Sequence, residues 1–168
     1  VRYGNVMGSR GSVIPLFIKQ ASEGKLSITN EQMTRFNISL TEGVDLVKMA
    51  INNSIGGEIY VPKLPSYRIK DVAQAIGPNV EYEIIGIRPG EKIHEEMISP
   101  ADSLNTIEYE KHYLILPATS KNIINKFQKG KTVESNFSYA SNTNKNFLSI
   151  DQIRKLIIDN VDSNFVPI

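Results

Sequence analysis

Two segments rich in Arg and Gly carry the residues best suited to chemistry: Val1-Arg2-Tyr3-Gly4-Asn5-Val6-Met7-Gly8-Ser9-Arg10-Gly11-Ser12 and Gly86-Ile87-Arg88-Pro89-Gly90-Glu91-Lys92. Both have the make-up of an anion site. In the first, the glycines around Arg10 let successive backbone N–H groups face one point just before a helix begins, and the helix N-terminus adds a partial positive charge. A plain glycine turn with a solvated Arg10 has the same local sequence. In the second, Arg88 and Glu91 flank Pro89-Gly90, so a tight turn aims both side chains outward from the end of a strand. Arg can fork onto a diphosphate, while Glu can fix that Arg or accept from ribose hydroxyls. The alternative is a surface ion pair of little energetic worth. Arg35, between Thr34 and Phe36, has the same two readings: a phosphate ligand or an ordinary edge-strand Arg.

Other chemistries find less support. Gly4, Gly8 and Gly11 imitate a dinucleotide-binding glycine pattern, but only Val1 to Tyr3 precede it and no second strand carries an acid at the required distance. Glu91 and His94 have the spacing of a helical metal-ligand pair, with Glu95 beside them. A carboxylate-bridged metal site needs a second such pair, and the only other His is His112. Structural or surface roles are therefore expected for both His, and no metal. No Ser/His/Asp set stands out, cysteine is absent, and none of the 7 Tyr is followed by Lys in a Tyr-x-x-x-Lys pair.

The elements that must position these residues can be read from the pattern. Ser12 caps a helix over Val13 to Ala21, with Pro15 tolerated in the first turn and Gly24 past the end. Leu26 to Thr29 is a short extended segment, and Met33 to Asn37 a loop or edge strand. Thr41 caps a second helix whose apolar stripe is Val44, Val47, Ala50 and Ile51, stopped by Gly56-Gly57. Glu58 to Pro62 is a strand, and Ile69, Val72, Ala73 and Ile76 define one face of a third helix ended by Gly77. Val80 to Ile87 is a further strand that delivers Arg88 at its C-terminal end, where open α/β sheets bind ligands. Tyr113 to Leu116 is a strand. The polar run Ser135 to Asn146 depends for order on contacts with the rest of the fold. Ser149 and Gln152 make a capping box for the last helix, with Ile150, Ile153, Leu156 and Ile157 as its buried stripe.

Composition bounds the class. A chain of 168 residues, 40% hydrophobic and 22% charged, is an ordinary globular domain with room for a sizeable core. A net charge of +1, from 19 Lys and Arg against 18 Asp and Glu, makes no general field for a polyanion, so no nucleic-acid partner is expected. No apolar run approaches the ~18 residues of a membrane span, and no membrane partner is expected. The chain begins with Val, which reads as the downstream part of a longer protein.

Taken together, the segments Arg2 to Pro15, Met33-Thr34-Arg35-Phe36, Gly57 to Lys63 and Gly86 to Glu95 resemble the C-terminal portion of the extended short-chain dehydrogenase/reductase superfamily. Within it they are most similar to the inverting UDP-N-acetylglucosamine 4,6-dehydratases that begin pseudaminic acid biosynthesis. The resemblance implies an α/β fold: the end of a Rossmann-like domain plus the substrate-binding lobe, with residues 1–168 a single unit and the N-terminal cofactor-binding half upstream. It implies that Asn5 touches the sugar nucleotide and that Val6 borders the nicotinamide end of NADP. It implies further that Arg10, Gly11, Ser12, Val13, Ile14, Arg35, Arg88 and Glu91 line the UDP pocket. The substrate would be UDP-N-acetylglucosamine, the location cytoplasmic and the complete protein a homo-oligomer. The catalytic Tyr, Lys and Asp of the family, and most of the NADP site, would precede residue 1, so this chain alone would not turn over. A freestanding UDP-sugar-binding module and a related nucleotide-sugar epimerase are the alternatives.

Overall fold

The computed structural model describes residues 1–117, 127 and 129–168. In chain order the first elements are β1 (Asn5–Val6), α1 (Val13–Ser22), β2 (Lys25–Ile28), β3 (Thr34–Ile38), α2 (Leu40–Asn53), β4 (Ile59–Pro62), β5 (Ser66–Arg68) and α3 (Ile69–Ile76). They are followed by β6 (Glu81–Ile84), β7 (Glu96–Ile98), α4 (Pro100–Ser103), β8 (Thr106–Glu108), β9 (His112–Ile115), β10 (Lys131–Thr132), β11 (Tyr139–Ala140) and α5 (Ile150–Asn160).

The sheet that matters most for the site has the order β1-β3-β5. β1 runs parallel to β3, with Asn5 opposite Asn37, and β5 runs antiparallel, with Tyr67 opposite Arg35. Met33 to Asn37 is thus neither a loop nor an edge. Thr34–Ile38 is the central strand, paired on both edges and buried along its whole length. The chain entering β1 passes so close to β3 that a Cβ on Gly4 would stand 2.5 Å from the Phe36 Cβ and 2.8 Å from the Phe36 carbonyl oxygen. Gly4 therefore serves strand packing, which removes it from any dinucleotide glycine pattern.

β2 and β6 pair in parallel from Lys25 opposite Glu81 to Ile28 opposite Ile84. The strand is shorter than Val80 to Ile87, because the chain turns at Gly86 with φ +85°. Arg88 consequently lies on the turn beyond the strand. The last sheet that concerns the site's surroundings, β10-β8-β9-β4, carries His112 stacked on Tyr109 and Tyr60, with ring centroids 4.8 and 5.6 Å away.

α1, α3 and α5 share one core with β2, built on Ile14, Phe17, Leu26, Val72, Ile76, Ile153 and Ile157. The α3 and α5 faces read from the sequence hold, as does the Ser149/Gln152 capping box. α2 differs twice from the expectation. Its N-cap is Ser39 rather than Thr41: Ser39 Oγ accepts from the Glu42 N–H at 3.2 Å, and the Glu42 carboxylate accepts from the Ser39 N–H at 2.8 Å. Its inward face is Gly43, Leu46, Met49 and Ala50, while Val44, Val47 and Ile51 are exposed. Two apolar stripes at helical spacing lie side by side, one residue or about 100° apart. Packing on Tyr60 of β4 and Leu114 of β9 selects the one that is buried.

The polar run from Ser135 to Asn146 is ordered by long-range bonds, as anticipated. The Tyr139 hydroxyl donates to the Leu64 carbonyl at 3.0 Å and accepts from the Leu64 N–H at 2.8 Å. The Asn144 amide donates to Leu64 O and Ser66 Oγ.

Candidate functional site

The turn between β1 and α1 forms because Gly8 and Gly11 adopt φ of +71° and +77°, values that ordinary side chains resist. The Ser12 N–H donates to the Ser9 carbonyl at 3.0 Å, and Ser12 enters α1 with extended backbone. Its side chain does not cap the helix. An N-cap hydroxyl accepts from the N–H of the second or third helical residue, and the third here is Pro15, which has none. Ser12 Oγ is left buried without a partner. The first-turn N–H groups of α1 likewise lack intrahelical acceptors, and the helix has no acidic residue in its first turn.

Arg35 is 7% exposed and tightly held. Its Nη1 donates to Thr34 O at 2.8 Å and Ile93 O at 3.0 Å, and its Nη2 donates to Lys92 O at 2.7 Å. Glu95 lies 3.5 Å from Nε and Glu91 3.8 Å from Nη2. Arg35 therefore ties β3 to the segment that follows the Arg88 turn. In that turn Gly90 has φ +81°, and the Glu91 N–H donates to Arg88 O at 3.0 Å. Glu91 does not point outward: its carboxylate accepts from the Arg88 N–H at 3.3 Å and faces Arg35. Arg88 itself is exposed and has no ion pair among the described residues. A second clamp sits behind, where Thr34 Oγ1 lies 2.9 Å from His94 Nδ1 and 2.7 Å from Ser141 Oγ.

These pieces enclose a cavity of about 410 Å³. Asn5 and Val6 of β1 line it, as do Gly11, Ser12, Val13 and Ile14 at the start of α1, Arg35 of β3, and Arg88 and Glu91 of the turn. Arg10 belongs to the same glycine turn, but it is exposed and stands outside the lining. Several lining residues escaped the sequence reading. Gln20, Ser27 and Thr29 give the cavity a polar stretch along α1 and β2, with the Gln20 side-chain Oε1 accepting from the Ser27 N–H at 3.1 Å. Met33, Tyr67 and Ile69 close another side. The sequence offers no motif for them, since only the parallel β2/β6 pair and the β3/β5 register bring them to this face. Burial pushes the Tyr67 phenol up to about 12; the Arg35 charge pulls it down and Glu95 pushes it up.

The cavity thus holds one buried Arg, one exposed Arg and the uncapped end of a helix, a set suited to an oxygen-rich anion. Val6 offers only an apolar contact to a cofactor. Gly8 and Gly11 turn the chain into this same cavity rather than into a second phosphate cradle. Among the described residues no cluster of His, Asp and Glu could hold a metal ion, and no helix is long and apolar enough to cross a membrane.

The fold is mixed α/β, of the extended short-chain dehydrogenase class. It matches the solved structure of Pen from Bacillus thuringiensis with a TM-score of 0.81 at 32% identity, over 93% of this chain and 48% of that one. A family model described as polysaccharide biosynthesis protein matches residues 1–117, and the chain belongs to that family. It is 46% identical over 167 residues to the UDP-N-acetylglucosamine 4,6-dehydratase (inverting) of Campylobacter jejuni subsp. jejuni serotype O:2, covering 93% of this chain and 49% of the relative. It is 39% identical over 164 residues to the UDP-glucose 4-epimerase of Rickettsia akari, covering 94% of this chain and 48% of the relative. The chain spans about half the length of the curated relatives it matches.

Proposed function

We propose that this chain is the UDP-sugar-binding part of a nucleotide-sugar dehydratase acting on UDP-N-acetylglucosamine with inversion at C5. One observation carries the reading: the uncapped N-terminus of α1, Arg35 and Arg88 all face one cavity. A diphosphate carries about two negative charges, and helix N–H groups with Arg donors are the physical answer to it. The name of the Campylobacter jejuni relative supports the dehydratase assignment and the substrate.

In this reading Asn5 contacts the sugar nucleotide, and Gly11 to Ile14, Arg35, Arg88 and Glu91 form the UDP site, to which Arg10, on the turn outside the lining, adds its charge. NADP+, which would take a hydride from the sugar and return it after elimination, borders Val6. The groups that hold the rest of the cofactor and carry out oxidation and elimination lie outside these 168 residues. Purified chain given UDP-N-acetylglucosamine and NADP+ is then expected to form no 4-keto-6-deoxy sugar above a mock-purified control.

A 4-epimerase is the second reading, favoured by the Rickettsia akari relative. It keeps the same UDP site and changes only the chemistry at the sugar.

The test is calorimetric titration of UDP, UDP-N-acetylglucosamine, UDP-glucose and uridine at fixed salt. UDP and UDP-N-acetylglucosamine should compete for one site, and uridine should bind much more weakly. Arg10→Ala and Arg35→Ala should each narrow the gap between UDP and uridine; an unchanged ratio in both variants returns these Arg to surface or purely structural roles. Preference for UDP-glucose over UDP-N-acetylglucosamine would favour the epimerase.

A further inference from the structure

Tyr67 stands directly opposite Arg35 across the β3/β5 pair, so both side chains leave the sheet on the same face. Both line the cavity, and Tyr67 is only 3% exposed. A phenol buried to that degree ordinarily finds a partner for its hydroxyl. Tyr139 does, through both backbone groups of Leu64. The Tyr67 hydroxyl makes no hydrogen bond to any described residue, yet it is not sealed off. Among the described residues the buried polar side-chain atoms without a partner are Ser12 Oγ and Asn37 Oδ1, and the Tyr67 oxygen is not one of them. It opens on the cavity.

We infer that Tyr67 is a ligand-contacting residue of this cavity, its phenolic O–H donating to an oxygen of the phosphate group drawn there by Arg35 and the α1 N-terminus. The inference rests on the nucleotide-sugar reading and adds a division of labour to it. Arg35 has used its Nη1 hydrogens on Thr34 O and Ile93 O and one Nη2 hydrogen on Lys92 O, so it has few donors left for a ligand and offers mainly a charge that it shares with Glu91 and Glu95. The adjacent phenol offers the directed hydrogen bond. With its ionisation held near 12, the hydroxyl keeps its proton at any working pH. An O–H donor to a charged oxygen is also the stronger kind.

Tyr67→Phe deletes one oxygen and keeps the ring. Wild type, Tyr67→Phe and Arg88→Ala are titrated with UDP and uridine, and each is melted. The expected result is a UDP affinity lower by about tenfold or more in Tyr67→Phe, the size for a hydrogen bond to a charged group, with uridine affinity and melting temperature unchanged. If Arg88→Ala weakens UDP while Tyr67→Phe does not, the site stands and the Tyr67 contact is overturned. If Tyr67→Phe weakens UDP and uridine alike, the residue is a packing element, and the phosphate contact is again overturned. Tyr67→Leu, lacking both ring and hydroxyl, calibrates that packing effect. If wild type binds UDP no better than uridine, the nucleotide-sugar reading falls, and this inference with it.

Discussion

Helices α1 and α2 begin with the same residue type and end up with opposite electrostatics. Ser12 and Ser39 both sit at the N-cap with φ −77° and extended ψ. Ser39 closes a reciprocal box with Glu42, which satisfies two backbone donors and sets a carboxylate against the positive end of the helix. Ser12 closes no box, because Pro15 occupies the third helical position whose N–H the box requires, and it makes no bond to the Ile14 N–H either. α3, α4 and α5 also carry an acid in the first turn, Asp71, Asp102 and Asp151, and α1 has none. The end left open faces the cavity shared with Arg35 and Arg88, whereas the α2 end is closed upon itself. Stability and anion binding make competing claims on a helix N-terminus, and the two helices settle them differently.

The largest effect is expected from making α1 resemble α2. Pro15→Glu restores the N–H and adds a carboxylate at the third helical position, so UDP affinity should fall by about 2–3 kcal/mol, the cost of losing a hydrogen bond to a charged group, while the melting temperature holds or rises. Titration beside thermal melting reads both. A Pro15→Glu protein that binds UDP as wild type does would break the comparison.

Arg88→Ala comes next. It should weaken UDP by about 1.5–3 kcal/mol and leave melting unchanged, since Arg88 is exposed and has no ion pair among the described residues. Loss of both binding and stability would instead mark Arg88 as part of the fold.

The two serines sharpen the contrast at a smaller scale. Ser39→Ala should cost about 1 kcal/mol of stability through the lost cap. Ser12→Ala should stay within about 0.5 kcal/mol, because its hydroxyl has no partner to lose. Chemical denaturation of both variants checks this, and equal losses would mean that Ser12 caps α1 after all.

The smallest effect is a pH dependence at the closed box of α4. Burial alone would raise the Asp102 carboxyl, but the N–H and hydroxyl of Ser99 and the Arg2 guanidinium outweigh it and hold the group below its ordinary value. A carboxyl depressed in the folded state stabilises above its unfolded pKa, and that contribution is lost as pH falls through the folded value. Wild type should therefore melt above Asp102→Asn at neutral pH, with the gap closing only in acid below about pH 4. A gap that persists unchanged into that range would show that the ionised carboxylate contributes nothing.

Much of the fold is legible locally. α3 and α5 follow from apolar spacing and flanking residues, because each has a single apolar face to bury. α2 carries two adjacent stripes, and periodicity cannot choose between Leu46 and Val47 when the deciding contacts come from Tyr60 and Leu114, distant in sequence. The site divides in the same way. Glycines mark the turns around Ser12 and Arg88, whereas the sequence reading of Ser12 as a cap for α1 is overturned by the structure, in which its side chain makes no cap bond. Tyr67 lies in a stretch with no motif, visible only through its register with Arg35.

The sequence by itself determined most of the turns, the four longer helices though not the short α4, and that Arg and glycine gather in segments fit for an anion, since these follow from local backbone freedom and short-range spacing. Tertiary structure alone decided that Arg35 is buried in a central strand with most of its donors taken, that Glu91 folds back toward it, and that Tyr67 stands beside it with a hydroxyl bonded to no other described residue. Those outcomes depend on which strands pair and in what register, a balance of contacts between residues far apart in the chain that no local pattern encodes.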